Sequence, residues 1–403
     1  MSRRKSLWRR VIMVGAALFA ASLGAGALAI RPVDPIDWRP QLWELAPHVE
    51  AGRVVQPLVD GGRAQLTLDA ALQADAERLL ADADAVHGAA VVVDVADGRV
   101  LALAGRSRAT PGRNDLRLPL GAWAPAASVF KLVTTAALLD AGVKPDTKVC
   151  YHAGTHSIEA DNLEEQPGLD DRCRNLAYGL AKSQNAIIGR LAHDFLDPQT
   201  LDEHARALGF GAAPAFALPA APSALAIPTE PLAFARTAAG FWHTTLSPLH
   251  GALLAATIAR GGEMPALRWV ERVTDGGGRE QPLPALAPPH RAMNAETAAT
   301  LGRMMINTTE WGSATRAFHD GKRRILGHVR VAGKTGTLNG DDPALAYSWF
   351  VGFAPADAPR VAFAVLLARG DESEVKAAAV ARALVGSWLG QSASPAASRL
   401  AAR

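Results

Sequence analysis

Apolar and polar positions change their period several times along the chain, and each change predicts an element. Residues 11–30 (VIMVGAALFAASLGAGALAI) form a run without a charge, behind a tail that holds Arg3, Arg4, Lys5, Arg9 and Arg10 and no acid. A run of that length spans a bilayer core as a helix, with its basic flank on the cytoplasmic side. The pattern therefore predicts a cytoplasmic tail at 1–10, a transmembrane anchor at 11–30 and an extracytoplasmic remainder. Ala27-Leu28-Ala29 also resembles a cleavage site, so a cleaved signal peptide is the rival reading, although the run is long for one. Residues 31–62 are rich in Pro and Gly and keep no period. They read as a juxtamembrane stalk with at most a short helix.

Helical spacing begins at Asp69, an N-cap residue type, and places Leu72, Ala76, Leu79 and Leu80 on one face up to about Ala85. Two β-rich runs follow in GAAVVVDVADGRVLALAG, residues 88–105, around an Asp97-Gly98 turn, which predicts a hairpin. Residues 125–260 read as mainly helical, interrupted by an Ala/Pro-rich connector at 211–231. Strands return in HVRVAGKT, YSWFVGFAP and RVAFAVLLA, and a helix in SEVKAAAVARALVGSWLG closes the pattern before a tail at 391–403 that reads as disordered. The fold class is thus α/β of the α+β kind. Its expected form is one antiparallel five-stranded sheet flanked by N- and C-terminal helices and interrupted by an all-helical subdomain.

Composition changes this picture little: 403 residues with 49% hydrophobic and 20% charged is ordinary for a globular chain. Charge changes it more. The overall +3 becomes about −2 once the five basic residues of the tail are set aside, leaving 37 basic against 39 acidic residues. No basic field remains for nucleic acid. Cys150 and Cys173 suit a disulfide in an oxidising compartment. A zinc site from Cys150, His152, His156 and Cys173 is the alternative, at a spacing that matches no common zinc module.

Candidate chemistry enters with VRVAGKTGTLNG, residues 329–340. A phosphate-binding loop needs Gly-x4-Gly-Lys-Ser/Thr, but His328 stands where the first glycine belongs, and Val329, Arg330 and Val331 are strand formers. No Gly-x-Ser-x-Gly elbow and no His-Glu-x-x-His zinc helix occurs. Three short motifs remain. In PAASVFKLVTTAALLDAG, Pro125 suits a first helical turn and Gly142 a stop, and Ser128 and Lys131 lie three apart, adjacent on a helix. A buried Lys131 amine would have a lowered pKa and could take the Ser128 proton. In AKSQNAIIGRLA, Ser183 and Asn185 follow 55 residues after Ser128 and Ser183 lies 151 before Lys334. The third motif is Lys334-Thr335-Gly336-Thr337 at a strand end. There Gly336 leaves room for substrate against the backbone and Lys334 offers a cation to a carboxylate.

In this order the motifs resemble the active-site serine penicillin-recognising enzymes, with their Ser-x-x-Lys, Ser-x-Asn and Lys-Thr-Gly sets. The resemblance covers roughly residues 63–390. It includes the hairpin at 88–105, TTLSPLHGALLAATIARGGEMPALRWVERVTDGGG after the second motif, and SWFVGFAPADAPRVAFAVLLARG after the third, which looks most like the class B penicillin-binding proteins. It implies a serine β-lactamase/transpeptidase-like fold and a bacterial peptidoglycan D,D-transpeptidase that needs no cofactor and no metal. Ser128 would be the nucleophile, Lys131 its base, Ser183 the proton relay and Asn185 the residue that holds Lys131 and the substrate amide. Lys334, Thr335 and Thr337 would bind the terminal carboxylate, and the backbone amides of Ser128 and Thr337 would form the oxyanion hole. Implied partners are D-Ala-D-Ala stem peptides, β-lactams, the inner membrane through one helix, and a membrane glycosyltransferase of wall synthesis, with the catalytic domain periplasmic.

Only 32 residues separate the apolar run from the start of the match, which leaves no room for the glycosyltransferase domain of class A members or the usual pedestal of class B. Glu-x-x-Leu-Asn, from which class A β-lactamases activate a deacylating water, does not occur after Asn185. A D,D-carboxypeptidase shares every motif and stays open. An inactive scaffold would be expected to have lost Ser128, Lys131 or Lys334, and a β-lactam sensor would need a cytoplasmic signalling domain or several spans.

Overall fold

Asp69 does cap a helix: its carboxylate accepts from the Leu72 N–H at 2.9 Å, which satisfies one of the amides that a first turn leaves unpaired. The computed structural model describes residues 37–43, 46–154, 157–340, 345–370 and 375–390. The expected anchor at 11–30, His156 and the tail at 391–403 lie outside the described residues. Among the described residues, no helix is long and apolar enough to cross a membrane.

In chain order, strands β1 (His48–Glu50), β2 (Arg53–Pro57) and β3 (Arg63–Leu66) precede α1 (Ala70–Asp82) and the hairpin β4 (His87–Asp94) and β5 (Val100–Ser107). Gly98, at φ +74°, makes that hairpin turn. A 3-10 turn at Ala127–Phe130 then runs into α2 (Lys131–Asp140). A hairpin of β6 (Lys148–Tyr151) and β7 (Arg172–Asn175) is followed by α3 (Leu176–Ala181), α4 (Asn185–Phe195), α5 (Pro198–Ala207), α6 (Pro231–Ala238) and α7 (Pro248–Ala259). The chain finishes with β8 (Val270–Thr274), β9 (Glu280–Gln281), α8 (Ala295–Glu310), β10 (Ala332–Asn339), β11 (Ala346–Ala354), β12 (Val361–Arg369) and α9 (Ala377–Trp388).

The main sheet has the order β10-β11-β12-β4-β5 and is antiparallel throughout. Alternate residues of its strands enter different cores. Ala90, Val92, Phe350 and Phe363 pack with α1 and α9, whereas Val91, Val93, Trp349 and Val351 pack with α2 and α7. Helix α7 is buried from Pro248 to Ile258, as an all-round apolar helix must be. Covered on both faces, the sheet reads as near-continuous apolar runs instead of alternating ones. Only β10 and β5 are edges, and β10 carries the third motif.

Four local expectations are corrected. The inserted subdomain is not all-helical: the β6–β7 hairpin sets Cys150 opposite Cys173, and a disulfide joins them, so neither sulfur is a thiolate for the alternative zinc site. Pro125 lies outside the helix and pairs with Thr245, because the chain enters the serine turn as extended backbone. Val329, Arg330 and Val331 precede the strand, which starts at Ala332 after the turn at Gly327 (φ +65°), so the Lys-Thr-Gly motif sits inside a strand rather than at its end. Finally, residues 48–57, read as stalk, form two strands of a second five-stranded sheet, β1-β2-β3-β8-β9. Its partner β8 lies two hundred residues downstream, and short strands with no repeated pattern gave no period to read.

Candidate active site

Ser128 stands in the 3-10 turn, and Lys131 begins the α-helix that continues it. The turn is held under backbone strain. Ala127 adopts φ +49°, a left-handed conformation costly for a residue with a Cβ. Gly240, at φ +87°, makes the close approach feasible, since a Cβ there would lie 2.2 Å from the Ala127 carbonyl oxygen. The Ala126 N–H donates to the Thr244 carbonyl at 3.1 Å and fixes the entry strand.

From this turn the Lys131 ammonium nitrogen reaches Ser128 Oγ at 2.9 Å and Asn185 Oδ1 at 2.6 Å, and it also donates to the Ala239 carbonyl. The three acceptors are uncharged, and Lys131 is fully buried. Burial holds its pKa well below the ordinary lysine range, and the neighbouring Lys334 cation lowers it further. Asn185 is brought there by a break between α3 and α4: Ser183 takes φ +57°, and Gln184, in extended backbone, stands just ahead of the new helix with Asn185 as its first residue.

Ser183 faces the second lysine. Lys334 Nζ donates to Ser183 Oγ and to the Thr335 carbonyl, each at 2.8 Å. Lys334 is also fully buried, and burial lowers its pKa to about 7. Four of the sequence-predicted residues are thus joined in two hydroxyl–amine pairs, Ser128 with Lys131 and Ser183 with Lys334, with Asn185 on the first. Thr335 and Thr337 lie along β10 on the opposite pleat from Lys334, Thr337 exposed.

Gly336 has a different use from the one expected. A Cβ there would sit 3.1 Å from Trp349 Cβ and 3.2 Å from Val129 Cγ2, so the missing side chain lets the serine turn pack on the strand. Trp349 completes that packing, its indole N–H donating to the Pro125 carbonyl at 2.9 Å. Cys150 and Cys173 lie in the β6–β7 hairpin, where the Cys150 carbonyl accepts from Arg190, and take no part in the cluster.

Sequence reasoning missed three contributors. The Ala239 carbonyl is backbone and leaves no sequence signal, and Gly240 is one glycine among many. Ser313 shares a 2.6 Å hydrogen bond with Thr335, and its N–H donates to Ala181, tying the loop after α8 both to β10 and to the end of α3. Nothing in Trp-Gly-Ser-Ala marks that role. Taken together, a hydroxyl beside a deprotonatable amine, a second cation and an unpaired strand edge form a site suited to acyl transfer onto serine from an extended chain ending in a carboxylate.

Peptidoglycan D,D-transpeptidase PbpA of Mycolicibacterium smegmatis is 28% identical over 318 residues, covering 71% of this chain and 62% of that protein, so the chain spans less than two thirds of the relative's length. The crystal structure of PBPA from Mycobacterium tuberculosis superposes with a TM-score of 0.67 at 25% identity, covering 83% of this chain and 82% of that one. An imipenem acyl-enzyme complex of penicillin-binding protein A from the same organism gives 0.67 at 25% identity over 82% of this chain and 80% of that one. A family model described as the penicillin binding protein transpeptidase domain matches residues 88–386, most of the chain, and this protein belongs to that family.

Proposed function

We propose that this protein is a class B peptidoglycan D,D-transpeptidase, anchored in the bacterial inner membrane through residues 11–30 with its catalytic domain outside. The observation that carries the reading is the buried Lys131 amine, 2.9 Å from Ser128 Oγ and without an acidic partner among the described residues, beside the open edge of β10.

A stem peptide ending in D-Ala-D-Ala adds to that edge as an extended strand, its carboxylate meeting Lys334, Thr335 and Thr337. Neutral Lys131 takes the proton of Ser128 as Oγ attacks the carbonyl carbon of the penultimate D-Ala. The developing oxyanion is held by the Ser128 and Thr337 amides. As the tetrahedral intermediate collapses, the C–N bond breaks, and Ser183 passes a proton to the departing D-Ala amine. Asn185 keeps Lys131 aimed at Ser128 and binds the substrate amide. The amine of a second stem then attacks the ester, releases Ser128 and leaves a cross-link. A β-lactam enters the same path, and its ring opens onto Ser128 with no leaving group to depart. Glycan strands come from a membrane glycosyltransferase.

The test is turnover of lipid-linked substrate by the full chain together with a glycosyltransferase. The expected products are cross-linked muropeptide dimers with an equal release of D-Ala, both lost in Ser128→Ala. D-Ala release without dimers would make the protein a carboxypeptidase.

A further inference from the structure

Beside Ser183 and Ser313 lies a row of rings and cations that the catalytic cluster does not use. Tyr178 and Trp311 stack there, their ring centroids 6.1 Å apart and the planes inclined by 27°. The Arg174 guanidinium lies 5.4 Å from the centre of the Tyr178 ring, and the Lys182 amine 6.0 Å from that of Trp311, so each ring holds one cation. Tyr178 and Lys182 are one turn apart on α3 and its C-cap, and Arg174 stands four residues earlier in β7. Gly312 seats the fourth member. A Cβ there would lie 2.4 Å from the Ala181 carbonyl oxygen and 2.6 Å from Thr308 Cα, so its absence lets the loop after α8 rest on the end of α3 and bring Trp311 to Tyr178.

Two features of the row call for an anionic occupant. Trp311 is 42% exposed although it is large and apolar, and Arg174 and Lys182 are exposed and have no carboxylate partner among the described residues. The acids nearest to them in sequence are engaged elsewhere: Asp171 accepts from Arg172 at 3.1 Å, and Glu310 accepts from Arg324 through both oxygens at 2.7–3.1 Å. The row also has a fixed place relative to the cluster. Lys182 adjoins Ser183, which accepts from the Lys334 amine, and Trp311 stands two residues before Ser313, the partner of Thr335. In the proposed reaction the first D-Ala departs past Ser183 with its carboxylate on Lys334 and Thr335. An incoming amine attacks the ester along the path by which that amine left, because it forms the same kind of tetrahedral intermediate in reverse. The second stem therefore arrives on this side, and it brings a terminal carboxylate of its own.

We propose that Arg174, Tyr178, Lys182 and Trp311 form the docking surface for the acceptor stem peptide. Its chain lies on the two rings and its terminal carboxylate meets the Lys182 and Arg174 cations, which holds its side-chain amine toward the acyl-enzyme. That nitrogen bonds to the acyl carbon, the ester bond to Ser128 Oγ breaks, and one amine proton returns to Oγ. The inference rests on the transpeptidase reading and adds to it where the second substrate binds.

The test uses the full chain with a glycosyltransferase and lipid-linked donor, to which a soluble tetrapeptide stem is added. Ending in a single D-Ala, this peptide can accept but not donate; a second form has its carboxylate amidated. Mass spectrometry counts tetrapeptide incorporated per D-Ala released. Arg174→Gln with Lys182→Gln should raise the half-saturating concentration of the acid form roughly 2- to 20-fold, the scale of one or two exposed ion pairs, and leave that of the amide unchanged. Lys182→Arg should restore most of the loss in the Lys182→Gln single variant. Trp311→Ala should weaken both forms roughly 2- to 10-fold. Penicillin acylation and the thermal midpoint should stay near those of the unaltered protein in each variant, since only the second half-reaction is touched. Half-saturation that none of these changes moves, or an equal loss for acid and amide in the Arg174/Lys182 variant, would overturn the proposal while D-Ala release and the acylation reading stand; absence of D-Ala release from the unaltered protein would overturn the reaction and the docking surface together.

Discussion

Two buried lysines within one cluster pull the pH dependence of the proposed reaction in opposite directions. Lys131 has to be neutral to accept the Ser128 proton, and burial together with the Lys334 charge brings that form down to a pH well below the ordinary lysine range. Lys334 has to be protonated to hold a carboxylate, and burial puts its pKa at about 7 in the free protein. Second-order acylation by penicillin should therefore rise with pH as Lys131 deprotonates and fall above about pH 7 as Lys334 does, a bell read from stopped-flow rates. A bound carboxylate favours the charged Lys334, so the falling limb should move to higher pH at saturating ligand. Replacing Lys131 by Met keeps much of the volume and removes the base. It should slow acylation by roughly 100- to 10,000-fold with little change in the thermal midpoint, since the cost of burying an amine without an acidic partner is removed together with its three hydrogen bonds. These side chains were legible in the sequence because each sits in a short motif whose spacing a helix or strand turns into proximity. Ser313, the Ala239 carbonyl and Gly240 were not, because tertiary packing alone brings them to Thr335, Lys131 and the serine turn.

The elements hold Ser128 by fitting closely around two glycines. Gly240→Ala adds a Cβ 2.2 Å from the Ala127 carbonyl oxygen at a position already left-handed. It should cost about 1–3 kcal/mol in chemical denaturation and displace the serine turn, so that acylation falls even where the protein remains folded. Gly336→Ala meets Trp349 and Val129 at 3.1–3.2 Å, contacts that must give by only a few tenths of an ångström to admit the methyl group. The expected effect is smaller, a measurable loss of acylation rate with a thermal midpoint only slightly lowered. Element boundaries were the part least legible. The helix from Asp69 and the hairpin about Gly98 follow from local pattern and capping. The start of β10 depends on the turn at Gly327, and the β6–β7 hairpin lies within a stretch whose neighbours are helical.

On the scale of the whole molecule, a main sheet is closed by α1 and α9 from opposite ends of the chain, with a subdomain of helices and one hairpin inserted between its second and third strands. The second sheet, built from residues 48–66 and 270–281, was invisible to periodicity because its partners are distant and its strands short. The Cys150–Cys173 disulfide closes a loop of 23 residues within the inserted part. Changing both cysteines to Ala should lower stability by at most about 3.5 kcal/mol by the loop-closure argument, and by less where the hairpin already limits the unfolded loop, while the rate of penicillin acylation stays near that of the unaltered protein. The claim that binds these scales together is that Ser128 is the residue that carries the acyl group. Peptide mapping by mass spectrometry after exposure of the full chain to penicillin G tests it directly. The expected result is one adduct, the mass of the intact drug, on the peptide that carries Ser128, persisting for hours and missing from Ser128→Ala; a folded protein that takes no adduct, or takes it at another residue, would contradict the claim.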